Sequence, residues 1–238
     1  MHSVGGRKLD IDKRQLRRSA DYFVRFAGIS GIIELKQLFE QTPSLIQVAA
    51  DLFKENKISS GLVRDIAGGI TGLAPAKLTD RDRYRLYARW GRILDSKLKE
   101  ANKQIKSTAR SLSSKEEIVK GIIILNTGNY QFTTSRISNV MGVFLHKQWN
   151  EDHYNDIDFA VGLTVDLFRE GQNPLSGTAI ARPTKRDICS EFLQEFLKAW
   201  TSYLSCGFEK SFSFSVDYTK EAIVDDIPYT GKVQRVTG

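Results

Sequence analysis

Two carboxylates and a lysine sit in two apolar runs near the start of the chain: Asp21 in Ala20–Phe26, and Glu34 and Lys36 in Gly31–Leu38. Both runs have strand character, and the turn-forming Gly28-Ile-Ser-Gly31 between them predicts a hairpin. On an extended run Glu34 and Lys36 project from one face, while Ile33 and Leu35 project from the other, where core contacts would hold the strand rigid. A tight turn near residue 28 would set Asp21 opposite Glu34 or Lys36, and a slip of one residue would move it to the wrong face. Two carboxylates crowded beside a lysine form a cluster that a divalent cation stabilises. Mg²⁺ takes hard oxygen donors and keeps several waters, so two carboxylates, a backbone carbonyl and a substrate phosphate suffice. Phosphodiester hydrolysis is the chemistry implied.

The whole-chain charge agrees with a polyanionic partner. Among 238 residues there are 35 Lys+Arg against 28 Asp+Glu, a formal charge of +7 and a pI near 9.3. That balance favours nucleic acid, and would also suit an acidic membrane surface. Much of it is concentrated in one stretch, where Arg81, Arg83, Arg85, Arg89 and Arg92 alternate with Tyr84, Tyr87 and Trp90. The arginines suit phosphate contact and the aromatics suit base stacking; alternatively, the aromatics are the core face of an amphipathic helix and the arginines its solvated face. Lys97, Lys99, Lys103, Lys106 and Arg110 extend the basic surface.

The elements that must position these groups follow from periodicity. Residues 43–56 predict a short helix with Thr42 as N-cap, Pro43 at the first helical position, and Ile46, Ala49, Ala50 and Phe53 on its apolar face. The Gly-rich residues 57–79 predict a helical turn and an irregular connection. From about 80 to 112 runs a long helix, interrupted at most near Gly91, with an apolar stripe of Leu94, Leu98, Ala101, Ile105 and Leu112. Gly121–Asn126 is uninterrupted and apolar, as expected of a central strand buried on both faces. A helix over about 133–148, a strand over Asp158–Leu167, a helix over about 187–205 and a half-buried strand over Ser211–Tyr218 follow. The fold class predicted is α/β, a central mixed β-sheet flanked by helices in one elaborated domain.

Asp21 followed by Glu34-Leu35-Lys36 on an apolar strand resembles the motif of the PD-(D/E)xK, or restriction-endonuclease-like, nuclease superfamily, with Ala20 where the motif has proline. Gln104, on the amphipathic helix ahead of the strand Gly121–Asn126, matches the glutamine that the family often carries by position. The likeness covers roughly residues 4–127, with a helical insertion at about 40–90 and an α/β extension over 128–238. It implies that Asp21, Glu34 and the Leu35 carbonyl ligate Mg²⁺ or Mn²⁺. Lys36 would orient or activate the attacking water, and Gln104, or alternatively Lys97, would position the nucleophile or a phosphate. The family often opens with a helix bearing a further acidic residue, for which Asp10 and Asp12 are the candidates here. Arg81, Arg83, Arg85, Arg89, Arg92, Lys97 and Lys103 would line the nucleic-acid cleft, with DNA expected over RNA. A single site cuts one strand, so a homodimer is one expected assembly; a module of the same fold without catalysis is the rival.

Other chemistries find less in the residues. Glycines 68, 69 and 72 lack the Gly-Lys-Ser/Thr ending of a phosphate-binding loop. His146 and His153 flank Trp149 with Glu151, Asp152, Asp156 and Asp158 nearby, a second metal site in composition but in no standard ligand spacing. Cys189 and Cys206 show no paired spacing and read as reduced core thiols. No run has signal-peptide or membrane-span length, so no membrane is expected and a cytoplasmic location follows by default.

Overall fold

A computed structural model describes residues 7–8, 20–26, 28–58, 79–112, 117–151, 153–165, 175–208, 213–217 and 233–237. The predicted connection over 57–79, the glycines within it, and Asp10, Asp12 and Asp152 fall wholly or mainly outside them.

The hairpin forms from β2 (Tyr22–Phe26) and β3 (Ile29–Leu38), preceded by the two-residue β1 (Arg7–Lys8). The turn is tighter than the glycines suggested. Phe26 pairs directly with Ile29, and Gly28, at φ +80°, takes the left-handed conformation that costs glycine least. The register then pairs Tyr22 with Ile33.

β3 continues past the hairpin and pairs in parallel with β4 (Ile118–Asn126), which pairs in parallel with β5 (Phe159–Val165); β6 (Leu175–Ala181) closes the sheet antiparallel to β5. The sheet order is β1-β2-β3-β4-β5-β6, a mixed sheet with β4 in its interior, as its apolar run requires. A separate ribbon pairs β7 (Ser213–Asp217) with β8 (Val233–Thr237). Strands β1, β6 and β8 were not foreseen. Leu175-Ser-Gly-Thr-Ala-Ile-Ala181 carries few large apolar residues, because its neighbours β5 and a helix supply the bulk.

Helices cover both faces. On one lie α1 (Leu45–Lys54), α2 (Asp80–Trp90), α3 (Arg92–Leu112) and α4 (Thr134–Asn150), around Ile32, Leu38, Ile122, Ile124 and Ile180. On the other lies α5 (Arg186–Phe208), whose Phe192, Leu193 and Phe196 meet Ile33, Ile123, Phe159 and Val161. The described residues of 128–238 add β5 and β6 to the sheet and supply the helix that covers its second face.

The long helical pattern divides at Gly91. A Cβ there would lie 2.3 Å from Val140 Cγ1 and 2.9 Å from the Tyr87 carbonyl, so the bare Cα lets α4 approach the joint. Leu94, Leu98, Ala101 and Ile105 are fully buried and Leu112 partly so, as the stripe predicted. Each buried Leu or Ile contributes roughly 1.5–3 kcal/mol. In α1 the expectation is corrected. Ser44, not Thr42, is the N-cap, accepting from the Gln47 amide at 3.2 Å, and Val48, Ala49 and Leu52 face inward while Ile46 and Phe53 are exposed. Pro43 lies outside the helix, ahead of the Ser44 cap, and its carbonyl accepts from Trp90 Nε1 of α2 at 3.1 Å.

Candidate active site

The pairing of Tyr22 with Ile33 places Asp21 opposite Glu34 at the mouth of β2. The Asp21 amide donates to Glu34 Oε2 at 3.1 Å, and the Leu35 amide donates to Asp21 Oδ2 at 3.0 Å. An extended residue's N–H and C=O project to the same strand edge, so the Leu35 carbonyl also lies on the Asp21 side. The start of β2 is held from the helical layer, since the Ala20 amide donates to Thr108 Oγ1 at 2.7 Å.

Lys36 Nζ lies 2.8 Å from Glu34 Oε1, 2.7 Å from Gln104 Oε1 and 3.1 Å from Glu100 Oε1. The hairpin and a helix far along the chain thus converge: the start of β2 brings Asp21, β3 brings Glu34 and Lys36, and α3 brings Gln104. Glu100, Gln104 and Thr108 follow one another at four-residue intervals on α3, so they share one helix face. Glu100 and Thr108 were missed in the sequence; their i, i+4 spacing from Gln104 is the signal that would have found them. Gln104 is 8% exposed within the apolar stripe, and its carbonyl end is satisfied by the Lys36 ammonium.

Burial sets the electrostatics. Glu34 is 1% exposed; burial, aided by the Asp21 charge, lifts its pKa to about 7 although the Lys36 hydrogen bond opposes the shift. Burial also draws Lys36 downward, but the hydrogen bonds and charges of Glu34 and Glu100 outweigh it and leave its pKa raised. Lys36 therefore remains an ammonium, while one lysine does not hold Glu34 fully ionised. Two neighbouring carboxylates and a carbonyl form a hard-oxygen donor set, and a divalent cation would offset both the burial that chiefly raises Glu34 and the lesser contribution of the Asp21 charge. Among the described residues, no group of three or more His, Cys, Asp or Glu side chains gathers as a metal site.

The basic residues divide. Lys97 pairs with Glu40 at 3.1 Å, just past the end of β3, and Lys103 is exposed. Arg85 Nη1 donates to the Lys57 carbonyl at 2.8 Å and Arg89 pairs with Glu55 at 3.1 Å, so both bind the turn after α1. Arg81 and Arg92 are exposed; the Arg83 side chain is outside those described. Tyr87 and Trp90 are 5% and 2% exposed, and Trp90 stacks on Phe132 with centroids 4.6 Å apart. Tyr84 carries Lys147 over its ring at 4.1 Å. The core reading holds for Tyr87 and Trp90, which have no free face for a base.

Around His146 and His153 the described residues do not gather into a metal site. His146 is buried edge-on against Trp149, and burial, with Arg186 beside it, pushes its pKa down to about 4. His153 is exposed, 3.7 Å from Glu151. Asp156 pairs with Lys120 Nζ, and Asp158 accepts from the Lys120 amide. Cys189 is a buried thiol with its pKa pushed up to about 12, which makes it inert. Among the described residues no helix is long and apolar enough to cross a membrane.

No family model, no curated protein and no solved structure matches this chain.

Proposed function

We propose that the chain is a metal-dependent nuclease with a restriction-endonuclease-like core, hydrolysing phosphodiester bonds, of DNA in preference to RNA. One observation carries the reading: Asp21, Glu34 and Lys36 of one hairpin and Gln104, 68 residues beyond Lys36, form one hydrogen-bonded cluster where α3 crosses the sheet. Asp21, Glu34 and the Leu35 carbonyl would hold Mg²⁺ or Mn²⁺, which supplies Lewis acidity at the scissile phosphate. Lys36, kept protonated by its neighbours, acts as a charge donor. It orients the attacking water and stabilises negative charge growing on the phosphate oxygens. Gln104, accepting from Lys36, sets the direction of the ammonium. Lys97, Lys103, Arg81 and Arg92 supply backbone contacts. One such site cuts one strand, so a paired break calls for two copies.

The second reading, a binding module of the same fold without catalysis, is favoured by how completely the cluster satisfies itself. Lys36 is already shared between Glu34, Glu100 and Gln104, and Asp21 Oδ2 already accepts a backbone amide. Purified protein assayed on supercoiled, linear and single-stranded DNA with Mg²⁺, Mn²⁺ or EDTA, beside Lys36→Ala, separates the two. Metal-dependent cleavage lost in Lys36→Ala supports the nuclease; cleavage that is absent, or undiminished in the variant, overturns it.

A further inference from the structure

Beyond the carboxyl ends of β3 and β4 two segments run side by side and are tied together. The Thr127 amide donates to the Leu38 carbonyl at 3.1 Å, and Gln37 Nε2 donates to Thr127 Oγ1 at 2.7 Å. Gln41 Nε2 donates to the Gly128 carbonyl at 2.6 Å, and Asn129 Nδ2 donates to the Glu40 carbonyl. The loop after β4 is also bonded within itself. Asn126 Nδ2 donates to the carbonyls of Asn129 and Phe132, while Asn126 Oδ1 accepts from the amides of Gly128 and Asn129. Asn126 and Asn129 are 3% and 2% exposed, so water does not compete for these bonds and the loop is held in one shape.

What this rigid pair of segments presents to solvent is two aromatic side chains, Phe39 at 59% and Tyr130 at 80% exposure. A single exposed apolar residue needs no explanation. Two aromatics on segments bonded to each other, outside the carboxyl ends of parallel strands where α/β sheets bind their ligands, each leave a ring face open to something flat. Phe39 follows Lys36 by three residues, at most ~10 Å of extended chain. Lys97 is bonded to Glu40, the next residue after Phe39. Phe39 therefore stands close along the chain to the candidate active site, beside an ion pair of Lys97 and Glu40. Tyr87 and Trp90, the aromatics nearest the arginine run, are buried and cannot take this part.

We infer that Phe39 and Tyr130 form a stacking platform for unpaired bases, so that the strand entering the site is single-stranded DNA. Inside a duplex every base is already stacked on its neighbours, and a ring held on a rigid loop gains nothing from it. An unpaired base offers a free face, and stacking on an aromatic is sequence-tolerant. The substrate assignment rests on the nuclease reading, whereas the platform itself is a claim about binding.

Fluorescence anisotropy with a labelled oligothymidylate and a duplex of equal length, in EDTA so that no cleavage occurs, tests the platform. The single strand binds more tightly than the duplex. Phe39→Ala and Tyr130→Ala each weaken single-strand binding about tenfold, Tyr130→Trp keeps it, and duplex binding is unchanged in all three. Unaltered thermal unfolding of the variants confirms that only the surface has changed. Equal affinity for both probes, no loss in the doubly substituted chain, or equal losses on both probes overturns the inference. Because the readout needs no cleavage, an inactive protein that passes this test fails only as a nuclease. An active one that fails it loses only the platform.

Discussion

The Asp21 amide donates to the Glu34 carboxylate at 3.1 Å while the Leu35 amide returns a bond to the Asp21 carboxylate at 3.0 Å. Each acid is thus positioned by backbone next to the other, and the pair is held together against its own repulsion. The stability and pH behaviour of the cluster follow from that arrangement.

Glu34 titrates from about 7 when folded, above its ordinary value of 4.5, because it is buried beside Asp21. Between those values the folded chain holds a proton that the unfolded chain has released. The contribution is therefore complete below the unfolded pKa and is lost as pH rises through about 7. Glu34→Gln has no such dependence. In EDTA the wild type should lose on the order of 3 kcal/mol relative to Glu34→Gln between about pH 4 and pH 8, read from urea unfolding. Parallel pH profiles would show that Glu34 does not titrate in this range.

Metal binding should follow the same titration, because a carboxylate must be ionised to ligate. Mg²⁺ or Mn²⁺ should raise Tm more at about pH 8 than at about pH 6, and should leave Glu34→Gln nearly unmoved. A Tm increase equal at both pH values would place any bound metal elsewhere.

Gln104 bears on Lys36 without meeting the carboxylates. Gln104→Met removes one acceptor from an ammonium that Glu34 and Glu100 still hold. Cleavage should fall by about tenfold to a hundredfold, as for other partners that orient a first ligand, with stability changed by about 1 kcal/mol. Unchanged kcat would remove Gln104 from the site.

Two sets of basic residues should separate in the salt dependence of DNA binding. Arg92→Ala and Lys103→Ala, both at exposed positions, should each reduce the slope of log K against log salt by about one. Arg85→Ala and Arg89→Ala should leave the slope alone and slightly lower stability, since their partners are the Lys57 carbonyl and Glu55. The reverse pattern would move the nucleic-acid path onto α2.

Gly91→Ala places a methyl 2.3 Å from Val140 Cγ1 and 2.9 Å from the Tyr87 carbonyl. The second contact is backbone and cannot turn aside, so a loss of about 2–3 kcal/mol is expected. Val140→Ala in the same chain should restore only part of it. A neutral Gly91→Ala would mean that α2 and α3 join differently.

Much of the scaffold was legible because its signal is periodic. The stripe Leu94, Leu98, Ala101, Ile105 announced α3, and the run Gly121–Asn126 announced the interior strand β4. The α1 face was misread because Ile46 and Phe53 are as apolar as Val48 and Leu52, and helical spacing admits either face; only packing against α2 selects one. Strand β6 was invisible because Gly177, Thr178 and Ala179 carry too little apolar bulk to mark a strand without their partners on β5.

The sequence by itself determined that Glu34 and Lys36 share a face, since residues two apart on any strand must. It determined also that Gln104 stands on an amphipathic helix beside the stripe residues Ala101 and Ile105, since the period of an α-helix carries that helix through it. Only the tertiary structure decided that Asp21 falls opposite Glu34 rather than Lys36, because the register is set by the Phe26–Ile29 turn. Likewise, that Gln104 and Glu100 both reach Lys36 depends on where α3 crosses the sheet. Spacing along a chain fixes direction within one element; distance between elements is set by how their buried faces meet.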